Sequence, residues 1–167
     1  MRVRRVQLGV ILGAVLMICV RPAAADKLSE LQAKFDRETN PIHRAKQLEK
    51  LGDEQFAAAR MAFKANDIVT VGAVFEKYRD NVRTALEGLR KLHKDAERQS
   101  NGYRQLEINV RRGIREVDET LLRAPEPYKP PLQIVRGDLD AMDRELIRML
   151  FHYRGEEKAP PAGDVKP

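Results

Sequence analysis

IVTVGAVFEKYRDNVRTALEGLRKLHKDA, residues 68–96, is the stretch whose reading decides the fold. Its apolar residues stand at Ile68, Val71, Phe75, Tyr78, Val82, Ala85, Leu89, Leu92 and Ala96. The gaps alternate between three and four residues without a miss, which is the a/d pattern of a helix that buries one seam against other helices. Thirty residues of helix reach about 45 Å, and most of the stability of such a rod must come from packing on its apolar face. The rest of the chain therefore has to cover the seam. The first four residues, Ile68-Val69-Thr70-Val71, are β-branched and compatible with a strand. The heptad phase they set continues through four further turns, so they are assigned to the helix.

Working outward toward the N-terminus, Asn66-Asp67 reads as a two-residue turn. Asn tolerates the left-handed conformation that ends one helix, and Asp caps the next. A loop this short makes an antiparallel hairpin with a second helix running from Pro41 to about Ala65. Its expected buried face is Ala45, Leu48, Gly52, Phe56, Ala59 and Phe63, with Leu51, Ala58 and Ala62 at the margins. Asn40 is placed to cap it, with Pro41 in its first turn. A shorter helix precedes it over Asp26 to Glu38, with Leu28, Leu31 and Phe35 on one face.

Toward the C-terminus, Ser100-Asn101-Gly102 reads as a polar turn that ends the central helix. A fourth helix follows, with Tyr103, Leu106, Val110, Gly113 or Ile114, Val117 and Leu121 facing the core and an end by Arg123. Four prolines in Ala124-Pro125-Glu126-Pro127-Tyr128-Lys129-Pro130-Pro131 predict an extended connector at 124–131 before a movable fifth helix. That helix offers Leu132, Val135, Leu139, Met142, Leu146, Met149 and Tyr153, again at alternating gaps of three and four. From Arg154 the composition turns to Gly, Pro, Glu and Lys, the signature of a disordered tail over 154–167. The expected fold is all-α: an antiparallel bundle of four long helices plus a short N-terminal one, spanning 26–153. The helices are too long and unequal for a 34-residue helical repeat.

Residues 1–25 read as a signal peptide. Arg2, Arg4 and Arg5 form the charged start, Val6 to Val20 is mostly apolar, and Ala23-Ala24-Ala25 supplies the small residues of a cleavage site before Asp26. The apolar run falls short of the roughly twenty residues a membrane-spanning helix needs. Ile18 before Cys19 is too bulky for a lipidation site, and Val6-Gln7-Leu8 after Arg4-Arg5 does not continue a twin-arginine pattern. Export to the periplasm or the extracellular space, with no membrane span after cleavage, is the expectation. The formal charge is +6 for 31 Lys+Arg and 25 Asp+Glu. Arg2, Arg4, Arg5 and Arg21 leave with the peptide, so 27 basic residues face 25 acids and the charge falls to +2. A nucleic-acid partner thereby loses its electrostatic footprint. The single cysteine leaves as well, so the mature chain must be held by its core.

Phe35-Asp36-Arg37-Glu38, then Arg44, Leu48, Leu51, Gly52-Asp53 and the Phe75-Glu76-Lys77-Tyr78 segment carry a resemblance. Over residues 28–95 the chain is similar to a family of uncharacterised all-helical domains in exported or membrane-anchored bacterial proteins. The resemblance implies an extracytoplasmic helical hairpin module and brings no catalytic residue with it.

Candidate chemistry is sparse. His43, His93 and His152 fall on three helices without a second His or Cys one turn away, so no helical metal pair exists. His93 and Glu97 read as a solvated ion pair, and a His152–Met61 haem set has no spacing to support it. Asp138, Asp140, Asp143 and Glu145 resemble the start of a calcium loop but lack its Gly and final Glu; acids early in a helix also suit its dipole. Arg104, Arg111, Arg112 and Arg115 line the fourth helix as a possible anion or partner contact, offset by Glu107, Glu116, Asp118 and Glu119. No enzyme motif and no cofactor site emerges. Two functions remain: an envelope interaction or structural protein that binds another envelope protein or itself, and a sensor-like bundle holding a small ligand near Gly52, Ala59 and Gly113. Helical glycines at 52, 72, 88 and 113 each cost about 1 kcal/mol, and close packing is the simplest reason for them.

Overall fold

A computed structural model describes residues 23–92 and 100–151. Among them are five α-helices and one short 3₁₀ turn: α1 (Ala23–Arg37), α2 (Pro41–Lys64), α3 (Ile68–Arg90), α4 (Ser100–Arg123), the 3₁₀ turn (Glu126–Tyr128) and α5 (Lys129–Phe151). The all-α bundle expected from the periodicity is what forms. Residues 1–22 of the expected signal peptide, Ala96, His93, Glu97, His152, Tyr153 and the tail at 154–167 lie outside the described residues.

The α2–α3 hairpin forms as its turn chemistry requires. Asn40 accepts hydrogen bonds from the Ile42 and His43 amides with its side-chain oxygen, at 3.0 and 3.2 Å. Asn66 takes a left-handed φ of 58°, and Asp67 accepts from the Thr70 amide at 3.1 Å. Hydrogen bonding from the Thr70 side chain first, and from its amide second, holds the Asp67 carboxyl below its ordinary pKa. Ile68–Val71 is helical, and Val71, Phe75, Tyr78, Val82, Ala85 and Leu89 are all buried, as the seam predicts.

Three boundaries differ from expectation. First, α3 stops at Arg90, and Ser100-Asn101-Gly102 is the first turn of α4 rather than a break. Gly102 packs there against Ile42, which a polar turn would not do. Second, 124–131 is not an extended connector. Only Ala124 and Pro125 separate α4 from the 3₁₀ turn, and α5 already begins at Lys129 with Pro130 and Pro131 in its first turn. The first four amides of a helix have no intrahelical acceptor, so prolines there forfeit no bond. The fifth helix is thus tied in, with Leu132, Val135, Leu139 and Leu146 in the common core. Third, the margins of the core shift. Leu51 is fully buried, while Phe63, Ile114, Leu121 and Met149 are only partly so and Leu150 takes the last core place on α5.

The topology is two antiparallel hairpins, α2–α3 and α4–α5, laid side by side in the same sense. Glu49, Asp53 and Arg60 on α2 meet Gln105, Arg112 and Glu116 on α4 in ascending order. Arg83 and Arg90 on α3 likewise meet Asp138 and Glu145 on α5. Across the pair, α2 and α4 run parallel, as do α3 and α5, while each hairpin is antiparallel within itself. α1 lies antiparallel on α2, with Lys27 paired to Glu54.

The glycines explain how the hairpins approach. Tyr78 lies between Gly52 and Gly113: a Cβ on Gly52 would come within 3.1 Å of its ring, and one on Gly113 within 3.0 Å of both Cζ and Oη. The ring stacks at a tilt on Phe56, 4.7 Å between centroids, and its hydroxyl donates to the Asn109 carbonyl at 2.6 Å. Burial pushes the phenol far above its ordinary pKa. Between Gly52 and Gly113 the space is thus occupied by Tyr78. Gly88 takes Pro41 against it, whereas Gly72 meets nothing within 4 Å.

Candidate functional site

The four arginines singled out on α4 separate into two groups. Residues 104, 108, 111, 115 and 122 are spaced by four, three, four and seven, which places them on one stripe of the helix. All five are exposed. Arg104, Arg111 and Arg115 therefore share an outward face with Ile108 and Leu122, whose side chains are 55% and 84% exposed. Arg112 turns the other way: it pairs with Asp53 on α2 and its guanidinium stands 5.7 Å from the Phe56 ring centre. It belongs to the inter-hairpin seam.

Arg111 is held by Glu107 one turn earlier and by Asp143 of α5, the latter at 3.4 Å. Among the described residues neither Arg104 nor Arg115 forms an ion pair, and Arg115 does not take up Glu119 as its helical neighbour. The outward stripe thus carries two exposed arginines without an ion pair among the described residues, one arginine with two acids beside it, and two aliphatic side chains about 21 Å apart.

The acids on α5 do something other than expected. Because α5 starts at Lys129, Asp138–Glu145 lies in the middle of the helix, away from its positive end. Asp138 binds Arg79 and Arg83, Asp140 binds Arg144, Asp143 binds Arg111, and Glu145 takes the fork of Arg90. That last pair raises the Arg90 pKa. Asp138, Asp143 and Glu145 thus link α5 to neighbouring helices, while Asp140 pairs within α5. No group of three or more His, Cys, Asp or Glu placed to hold a metal ion occurs among the described residues, and His43 stands exposed on α2.

Sequence periodicity missed a cluster of amides. Gln55 and Asn81 are each only 2% exposed. Gln32 and Asn81 exchange hydrogen bonds at 3.1 and 3.0 Å, and Asn81 reaches the Gln55 carbonyl at 3.5 Å. They lie beside a groove of about 590 Å³ between α1 and α3, whose walls include Leu28, Ala33, Ala73 and Val74. Asn81 directly precedes the seam residue Val82, so its burial was readable only as a polar residue hard against the seam.

No helix among the described residues is long and apolar enough to cross a membrane. No protein-family model matches the chain, and neither a curated protein nor a solved structure matches it.

Proposed function

We propose that the chain is an exported, non-catalytic interaction protein of the cell envelope, a helical bundle that docks another envelope protein or a second copy of itself through the outer face of α4. The observation that carries this reading is the stripe Arg104–Ile108–Arg111–Arg115–Leu122. Single exposed aliphatics are ordinary on soluble surfaces; here two stand in line, interleaved with arginine, a residue enriched at contact surfaces. Their spacing fits an elongated partner, such as a helix lying along α4. Export rests on the charged, apolar and small-residue order of residues 1–25. A structural rather than a chemical use of the α5 acids is supported by Asp138, Asp143 and Glu145, which pair with arginines of α3 and α4.

The test is size-exclusion chromatography with light scattering, joined to affinity recovery from the native envelope, for the wild type and for Ile108→Asp and Leu122→Asp. Both positions are outward, so the variants should melt as the wild type does while the assembly or the recovered partner is lost. Unchanged assembly and recovery in both variants would refute the reading.

A further inference from the structure

The groove between α1 and α3 is on the opposite hairpin from the α4 stripe and is independent of it. Leu28 and Ala33 of α1 and Ala73 and Val74 of α3 give it apolar walls, and Gln55 of α2 forms part of its lining. At about 590 Å³ it falls within the range of pockets that hold small ligands. Two of the four wall residues are alanines, so the space comes from small side chains facing each other across it.

The chemistry is set by Gln55. This side chain is almost wholly buried, and its oxygen is engaged by Asn81. Among the described residues its amide nitrogen donates no hydrogen bond, and yet that nitrogen is not among the sealed, unsatisfied polar atoms of the bundle. Gln55 is among the residues that line the groove. An N–H at the groove wall with no protein acceptor among the described residues can donate to an oxygen of a bound ligand. At the rim stand Lys77, which makes no ion pair among the described residues, and Asp36, whose carboxylate is taken by the Gln32 amide at 2.8 Å. One cation suits one negative charge; Asp36 beside it disfavours a doubly charged head.

We infer that the α1–α3 groove binds a singly charged amphiphile, a medium-chain carboxylate. Its hydrocarbon chain lies along Leu28, Ala33, Ala73 and Val74, and its carboxylate accepts from the Gln55 amide with Lys77 as counter-ion.

The experiment is calorimetric titration of the full chain with decanoate, kept below the concentration at which decanoate aggregates, with methyl NMR to locate the site. Saturable binding of one equivalent is expected, with shifts at Leu28 and Val74. Gln55→Leu should weaken it about 3–10-fold, the worth of one hydrogen bond, and Lys77→Gln about 2–5-fold, the worth of an exposed ion pair. Ala73→Phe and Ala33→Phe fill the groove from opposite walls and should each abolish binding while leaving the circular dichroism unchanged. Decyltrimethylammonium, with the same chain and the opposite charge, should not bind. The inference is overturned by the absence of saturable heat, by binding of several equivalents, by full affinity in the two Phe variants, or by equal affinity for the cationic amphiphile.

Discussion

Gly113→Ala and Gly137→Ala are the same substitution in the middle of two adjoining helices, and the structure gives them opposite signs. Replacing a mid-helix Gly by Ala removes an entropic cost of roughly 0.5–1 kcal/mol. At Gly137 nothing lies within 4 Å of the new Cβ, so the variant should gain that amount. At Gly113 the Cβ would stand within 3.0 Å of Tyr78 Cζ and Oη. The ring has little room to step aside: Gly52 lies on its other side, Phe56 closes one face, and the Asn109 carbonyl holds its hydroxyl. Overpacking a core position costs about 1–3 kcal/mol. The propensity gain is common to both variants, so the difference between them isolates the clash and should itself be about 1–3 kcal/mol. Urea unfolding followed by circular dichroism measures it. In a Tyr78→Leu background the difference should shrink, because the two sites share one partner. Equal stabilisation by both substitutions would mean that Tyr78 is not wedged between the hairpins, and the reasoning would fail.

Leu89→Ala should cost about 2–5 kcal/mol in thermal or chemical melts, since Leu89 is wholly buried; Lys91→Ala, exposed beyond the end of α3, should stay within about 0.5 kcal/mol. Burial raises the phenol pKa of Tyr78 and Tyr103 above the ordinary 10.0, so the folded state retains protons that the unfolded chain releases. The stability they contribute is complete below pH 10.0 and is lost as the pH climbs further; in the folded protein their phenolate absorbance should appear at higher pH than that of an exposed tyrosine, and titration of both at the ordinary value would contradict the burial. Intact mass of the exported protein should correspond to residues 26–167 without lipid, and a diacylglyceryl mass on Cys19 would overturn the processing expectation.

Much of the fold was legible because it rests on repeated, local rules. The alternating seam of α3, the Asn40–Pro41 start and the Asn66–Asp67 turn are short-range features, and each forms as its residues dictate. What was not legible depends on neighbours. Prolines 130 and 131 break a helix in its interior and start one at its head, and only the position of Lys129 in space distinguishes these cases. Ser100-Asn101-Gly102 has turn composition, but Gly102 is small because Ile42 of α2 lies against it. The parallel facing of the hairpins is carried by ion pairs 55 to 59 residues apart, such as Arg90–Glu145 and Asp53–Arg112, a separation that no periodicity reveals. For the candidate site, the arginines of α4 were readable as a set. Their division, with Arg112 inward and Arg104, Arg111 and Arg115 outward beside Ile108 and Leu122, follows from which side of α4 the α2 helix covers.

The proposal that α4 is the docking face is tested most directly by site-specific photo-crosslinking in living cells. A photoreactive residue at 108 and, separately, at 122 should each yield the same discrete crosslinked species, while one at Lys50, exposed on α2, should yield none. No product from 108 and 122, or the same product from Lys50, would contradict it.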